Sequence, residues 1–164
     1  MKFIERIDEI CEQNNNVEIY LDMDGTIIEL LFDIEKSYTH KGKYIKKSPI
    51  KPVIEQIEEI SRLYPNVKIS ILSFSRNTAM TEEKNQWLDI NMPFISKENR
   101  FFLIEENYKD TNFNINKLKG NYIKSNMSKN AIAILIDDDV RILNEAKMLL
   151  RNKVIPIHVT SVLI

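Results

Sequence analysis

Two aspartates one residue apart, Asp22 and Asp24, followed by Gly25 and Thr26, stand directly after an apolar, β-prone run from Val17 to Leu21. A strand ending in clustered acids sets like charges side by side, which costs free energy unless a cation or a proton settles the repulsion. A divalent metal ion does so, and a carboxylate beside a metal can also attack phosphorus. A second acidic cluster, Asp137, Asp138 and Asp139, ends the apolar run Ala131 to Ile136, and Ser73 ends another, Val67 to Ser73. In open α/β sheets, ligands bind beyond the carboxyl ends of strands where the winding reverses. The topology therefore predicts that the two acidic strand ends face each other across one crevice, in a site suited to phosphoryl transfer.

The elements that must position these residues can be read from periodicity. Phe3, Ile4, Ile7, Ile10 and Cys11 recur at helical spacing, so residues 2–13 form an amphipathic helix that Asn14-Asn15-Asn16 ends. Residues 25–48 lack periodicity and read as a flap or small hairpin. Ile50 to Leu63 is a helix, with Pro52 near its start where a missing N–H is harmless. Tyr64-Pro65-Asn66 turns the chain into the Val67–Ser73 strand. Residues 78–89 are helical, with Thr78 as cap and Trp87-Leu88 facing inward. Arg100 to Ile104 is a strand, 105–116 a polar connection, and 117–127 a short helix.

Ala131 to Ile136 is apolar without alternation, the pattern of a strand buried on both faces of a parallel sheet. Val140 to Leu150 is a helix, and Val154 to Val159 a last strand that Pro156 assigns to an edge. Strands alternating with helices predict an α/β fold. We expect a three-layer, Rossmann-like sandwich around a parallel sheet of about five strands, with a minimal cap. The strands starting at Val17 and at Ala131 are expected to be neighbours. Residues 1–164 read as a single domain, with 25–48 as a flap insertion.

Composition limits the partners. The 164 residues are 43% hydrophobic and 29% charged, a globular composition. The 23 basic and 24 acidic residues leave a net charge of -1, which offers no electrostatic case for nucleic acid or a membrane surface as the main partner. No apolar run approaches the roughly 20 residues of a membrane helix, and Met1-Lys2-Phe3-Ile4-Glu5-Arg6 is too charged for a secretory signal. Cys11 is the single cysteine, which excludes an internal disulfide and suits a reducing compartment. A cytoplasmic protein is the expectation.

Taken together, the chain resembles the haloacid dehalogenase-like phosphohydrolase superfamily. Asp22-x-Asp24-Gly25-Thr26 after an apolar strand is similar to that family's first motif, Ile69-Ser70-Ile71-Leu72-Ser73 to its second, and Ile134-Leu135-Ile136-Asp137-Asp138 to its fourth. The resemblance implies hydrolysis of a phosphate monoester on a small phosphorylated substrate. Asp22 is then the nucleophile that forms an aspartyl-phosphate. Asp24 is the general acid and then the base toward water, its main-chain carbonyl also a metal ligand. It implies a Mg2+ site built from Asp22, Asp24, Asp137 and Asp138, a cation that takes few protein carboxylates and keeps waters.

In the same pattern Ser73 hydrogen-bonds a phosphate oxygen, and main-chain N–H groups following Asp22 and Ser73 add to it. Gly25, Thr26, Phe74 and Arg76 are the substrate-binding candidates. The family's third motif is a lysine upstream of the last acidic strand. Lys119 is the first choice, Lys117 and Lys124 stay open, and Lys84 and Lys109 are outsiders.

Within the superfamily, Glu83-Lys84-x-x-Trp87-Leu88, Pro93-Phe94-Ile95, Arg100-Phe101 and Lys47-Ser48-Pro49-x-x-Pro52 are similar to the cytosolic 5'(3')-deoxyribonucleotidase branch. That likeness implies a nucleoside monophosphate as substrate, with Phe32, Tyr38 and Tyr44 of the flap stacking on a base or packing the flap down. Two other readings share the residues: a phosphotransferase or mutase, and a binding module that kept the fold without the chemistry. A small cap leaves the site open, or closed by a large substrate or by a second subunit of a homodimer.

Plainer roles apply elsewhere. Asp139 caps the following helix. His40 is a surface histidine, His158 structural, Trp87 a core anchor, and the flap lysines a solvated face.

Overall fold

The computed structural model describes residues 2–30, 42–108 and 114–164. The flap residues Phe32, Tyr38, His40 and Lys41, together with Lys109, lie outside the described residues. The elements are α1 (Phe3–Gln13), β1 (Val17–Leu21), α2 (Lys51–Leu63), β2 (Lys68–Ser75), α3 (Thr78–Asn91), β3 (Arg100–Ile104), α4 (Leu118–Asn126), β4 (Ile132–Asp137), α5 (Val140–Leu150) and β5 (Val154–His158). All strand pairings are parallel, in the order β3-β2-β1-β4-β5. The chain leaves β1 for β2 and β3 on one side, then crosses to β4 and β5 on the other. The winding thus reverses between β1 and β4, with β1 at the centre.

Alternation of the strand side chains makes the layers. Ile19 and Leu21 of β1, with Ile134 and Ile136 of β4, pack into a core shared with α1, α2 and α3. Tyr20, Ala133 and Leu135 point the other way, into a core shared with α4 and α5. Every residue of β1 is buried, and so are the last five of β4. Strands covered on both faces have no polar side to expose, which is why these runs are mainly apolar. Buried Glu18 is the exception in β1, accepting from the Tyr20 hydroxyl and the Ser128 amide. The result is a three-layer sandwich of the Rossmann-like kind.

Register delivers the acids. Leu21 pairs with Ile136, so the next residues, Asp22 and Asp137, leave the sheet at one level on adjacent strands. The Asp22 amide continues the ladder by donating to the Ile136 carbonyl at 3.0 Å. Pro156, which lacks an N–H, stands in edge strand β5 opposite Leu135.

Some element ends differ from the sequence reading. β2 runs two residues past Ser73, because the ladder to β3 continues through Phe74–Leu103 and Ser75–Ile104. The last strand stops at His158, and Val159–Leu163 forms a 3-10 turn whose end is fastened by the Phe3 amide donating to the Ile164 carbonyl. In the flap region, the described foot contains a 3-10 turn, Tyr44–Lys46, and Ile28 bridges Pro49. Among the described residues no helix is long and apolar enough to cross a membrane.

Candidate active site

At the switch point the carboxylates of Asp22, Asp137 and Asp138 come within 4.8 Å of one another. Lys119, projecting from the first turn of α4, reaches into this group. Its Nζ donates to Asp22 Oδ1 at 2.5 Å and to Asp137 Oδ2 at 2.7 Å. Lys117 and Lys124 are exposed, so of the three lysines Lys119 is the one whose ammonium meets the acids. Gly120 helps by letting α4 lie close on α5, where an added Cβ would come within 3.2 Å of the Ala146 Cα.

Three negative groups face one positive group in a buried corner. Burial, opposed by Lys119 and reinforced by Asp137, pushes the Asp22 carboxyl up to about 6. Burial and the nearby Asp22 also raise Asp138. Burial works against charge on Lys119, but attraction to Asp22 and Asp137 outweighs it and holds the ammonium above its ordinary value.

An excess of carboxylate charge with hard oxygen donors fits a hard divalent cation such as Mg2+. Asp22, Asp137 and Asp138 are the side chains that would hold it. Gly25 makes the approach possible. Its φ of +83° is in the left-handed region, and a Cβ there would overlap the Asp138 carboxylate and the Leu30 side chain.

Asp24 is absent from that trio, because its carboxylate turns to a different set of partners. Lys84 Nζ donates to Asp24 Oδ2 at 2.6 Å, and Lys47 Nζ to Oδ1 at 3.1 Å. The Tyr44 hydroxyl donates to Oδ1 at 3.0 Å. Burial alone would raise this carboxyl, but Lys84 and Lys47 outweigh it and hold Asp24 below the usual carboxylate range. Lys84 is only 2% exposed and also donates to Ser73 Oγ at 3.1 Å and to the Phe74 carbonyl at 2.6 Å. Side-chain binding of metal by Asp24 would require breaking this cluster.

The foot of the flap supplies Tyr44 and Lys47 and is bolted to α3. Glu83 accepts from the Gly42 and Tyr44 amides at 2.7 and 3.1 Å, and the Trp87 indole N–H donates to the Lys47 carbonyl at 2.9 Å.

No family model matches the sequence, and no curated protein matches it. Among solved structures, the fold is similar to a chain of the Pnkp1/Rnl/Hen1 complex, with a TM-score of 0.62 and 15% identity over 87% of this chain and 46% of that one. A chain of the Pnkp1/Rnl/Hen1 RNA repair complex gives a TM-score of 0.62 and 14% identity over 87% of this chain and 42% of that one. The HAD domain of effector protein Lem4 from Legionella pneumophila aligns over 88% of both chains at 18% identity, with a TM-score of 0.49. The chain spans less than half the length of either of the first two, and identities this low speak to the fold alone.

Several site residues hold positions that their sequence context did not suggest. Thr26, expected to touch substrate, is fully buried. Its hydroxyl lies 3.4 Å from Asp22 Oδ2 and its amide donates to the Met23 carbonyl, so it supports the acid from behind. The Gly25 amide, also expected to be available, is taken up by the Ile28 carbonyl at 2.8 Å. Tyr44 is 4% exposed with its hydroxyl on Asp24, so its ring packs under the lysines and cannot stack on a base.

Phe74 and Arg76 do line an open groove of about 280 Å3 beside Asp24, together with Leu30, Met80, Lys84 and Glu105. Asp139 caps α5 through the Arg141 amide at 2.8 Å.

Lys84, read as an outsider, was missed, and so was Lys47. The signal for Lys84 was its spacing. It shares a helix face with Trp87 and Leu88, three and four residues on, so it had to be buried with them. Nothing in the sequence marks Lys47, which reads as one solvated lysine among several.

Proposed function

We propose that this chain is a Mg2+-dependent phosphate monoester hydrolase of the haloacid dehalogenase-like kind, working through an aspartyl-phosphate on Asp22. The observation that carries this reading is the convergence of Asp22, Asp137, Asp138 and Lys119 at the switch point, with the Asp24–Lys84–Lys47 cluster next to it. One corner has excess negative charge and fits a divalent cation. The other has excess positive charge and fits a phosphoryl dianion. The bound ion supplies neutralisation and polarisation of phosphoryl oxygens.

The chain's own residues do the rest. Lys119 orients the Asp22 carboxylate by holding Oδ1, and Asp22 attacks phosphorus as the bond to the leaving oxygen breaks. Ser73 and Lys84, already in contact with each other, receive the phosphoryl oxygens. Before substrate arrives Asp24 is held ionised by two lysines. Phosphate drawing Lys84 and Lys47 toward itself loosens that hold, so that Asp24 can take up a proton from solvent and give it to the leaving oxygen. It later takes a proton from the water that attacks the aspartyl-phosphate, releasing phosphate and regenerating the Asp22 carboxylate.

The groove walled by Leu30, Phe74 and Met80 and edged by Arg76 suits a leaving group with an apolar body and a polar rim. A nucleoside monophosphate meets that description and is the substrate class we favour.

Asp22→Asn tests the core of the proposal. Mg2+-dependent turnover of an aryl phosphate should fall by about 10^4-fold or more, and unchanged turnover would remove the nucleophile and the reading with it. A panel of nucleoside monophosphates, sugar phosphates, phosphopeptides and phosphate-terminated RNA sorts the substrate class. The RNA ends belong in it because one structural neighbour is a chain of a complex named for RNA repair.

A further inference from the structure

Asp138 is held by more than the strand that leads to it. Strand β5 pairs with β4 so that His158 stands opposite Asp137. The His158 imidazole lies over the loop end, with Nε2 3.0 Å from the Asp138 carbonyl oxygen and Nδ1 2.8 Å from Thr160 Oγ1. The Thr160 amide also points at Nδ1, at 3.4 Å. An amide N–H can only donate, so Nδ1 carries the lone pair and Nε2 carries the proton. Nε2–H therefore donates to the Asp138 carbonyl.

The neighbouring acids also have main-chain partners within the loop, besides the Lys119 ammonium on Asp137. Asp137 Oδ1 accepts from the Asp139 amide at 2.9 Å, and Asp139 accepts from the Arg141 amide. The bond from His158 reaches the loop from another strand and fastens the one peptide whose carboxylate hangs over Gly25.

We propose that His158 is a positioning residue for the cation site: its hydrogen bond to the Asp138 carbonyl aims the Asp138 carboxylate at Asp22 and Asp137. Thr160 sets the tautomer that makes this bond possible. The inference rests on the metal reading above and goes beyond it by assigning a role to a histidine outside the acid cluster. Outer partners that orient ligating residues contribute about tenfold or more to metal affinity, because an unaimed ligand must be ordered again at each binding event.

The experiment compares His158→Ala and His158→Gln with the unaltered protein. Mg2+ half-saturation is read twice, from the rise in Tm on adding Mg2+ without substrate and from the Mg2+ dependence of aryl phosphate turnover. His158→Ala should need about tenfold more Mg2+ in both readouts, with turnover recovered at excess Mg2+. His158→Gln, whose amide can still donate to the carbonyl, should restore most of the affinity.

Should His158→Ala fail to fold, His158→Asn takes its place, since its shorter amide falls short of the carbonyl. Half-saturation in His158→Ala within about twofold of the unaltered protein, or equal values for the Gln and Asn variants, would overturn the inference alone. An unaltered protein that gives no Mg2+ response in either readout would overturn the metal reading and this inference together.

Discussion

Asp22 and Asp24 leave the same strand end two residues apart, yet their surroundings are opposite. Around Asp22, two further carboxylates outnumber one lysine, and burial raises its pKa. Around Asp24, two lysines outnumber one carboxylate, and the pKa falls. Asp22 draws its partners from β4 and α4, on one side of the central strand. Asp24 draws them from α3 and the foot of the flap, on the other. The difference teaches how one short motif can serve a metal and an anion at once. The strand ends at Leu21 and the chain turns at Gly25, so two side chains that strand alternation would set on one face go to different layers, and those layers supply unlike charges.

The comparison can be broken most severely at Lys119. Replacing it in Lys119→Met leaves buried carboxylates without their cation. Removing one partner of such a buried group costs about 3 to 5 kcal/mol. Urea unfolding should show that loss in metal-free buffer and a smaller one in Mg2+, since a divalent ion takes over the neutralisation. An equal loss in both buffers would mean that the acids do not share a cation.

A smaller effect follows from pH. The raised pKa of Asp22 means that its contribution to stability is fully present below the unfolded value of 3.8 and lost as pH rises through about 6. Metal-free protein should therefore gain on the order of 1 to 3 kcal/mol from this group between roughly pH 7 and pH 4. Asp24 has the opposite sign: its contribution is present above 3.8 and lost as pH falls through its lowered folded value, so the two windows do not overlap. Urea midpoints measured across the range, with Asp22→Asn as the control that flattens the upper window, check the assignment.

Least disruptive is Lys84→Met, because Asp24 is partly solvated and keeps Lys47. The Asp24 carboxyl should titrate higher than in the unaltered protein while Asp22 moves little, as read by carbon-13 chemical shifts. An Asp24 titration that stays in place would show that Lys84 is not its controlling charge.

Much of the scaffold could be read before folding was considered. Ala131–Ile136 is apolar without alternation, the pattern of a doubly covered strand, Val17–Leu21 is a short β-prone run, and each is followed by acids. Chain order and the winding rule then bring those ends together. The site was legible where its residues lie on strand ends and obscure where they lie on helices and the flap. Lys117, Lys119 and Lys124 look alike on a short, weakly patterned segment. What separates them is the phase of α4 after the 3-10 turn at Ile115–Lys117, and its close approach to α5 at Gly120. Lys84 could have been found from its face shared with Trp87, whereas Tyr44 and Lys47 depend on a flap foot that Glu83 and Trp87 fasten to α3.

By itself the sequence determined the strands, their burial on both faces and the acids that end them, because hydrophobic periodicity and like-charge crowding are local properties of the chain. Which lysine answers which aspartate was decided only in the tertiary structure. A flexible cation some way along the chain has no preferred partner until helix phase and layer packing set it within about 3 Å of one carboxylate and out of reach of the other.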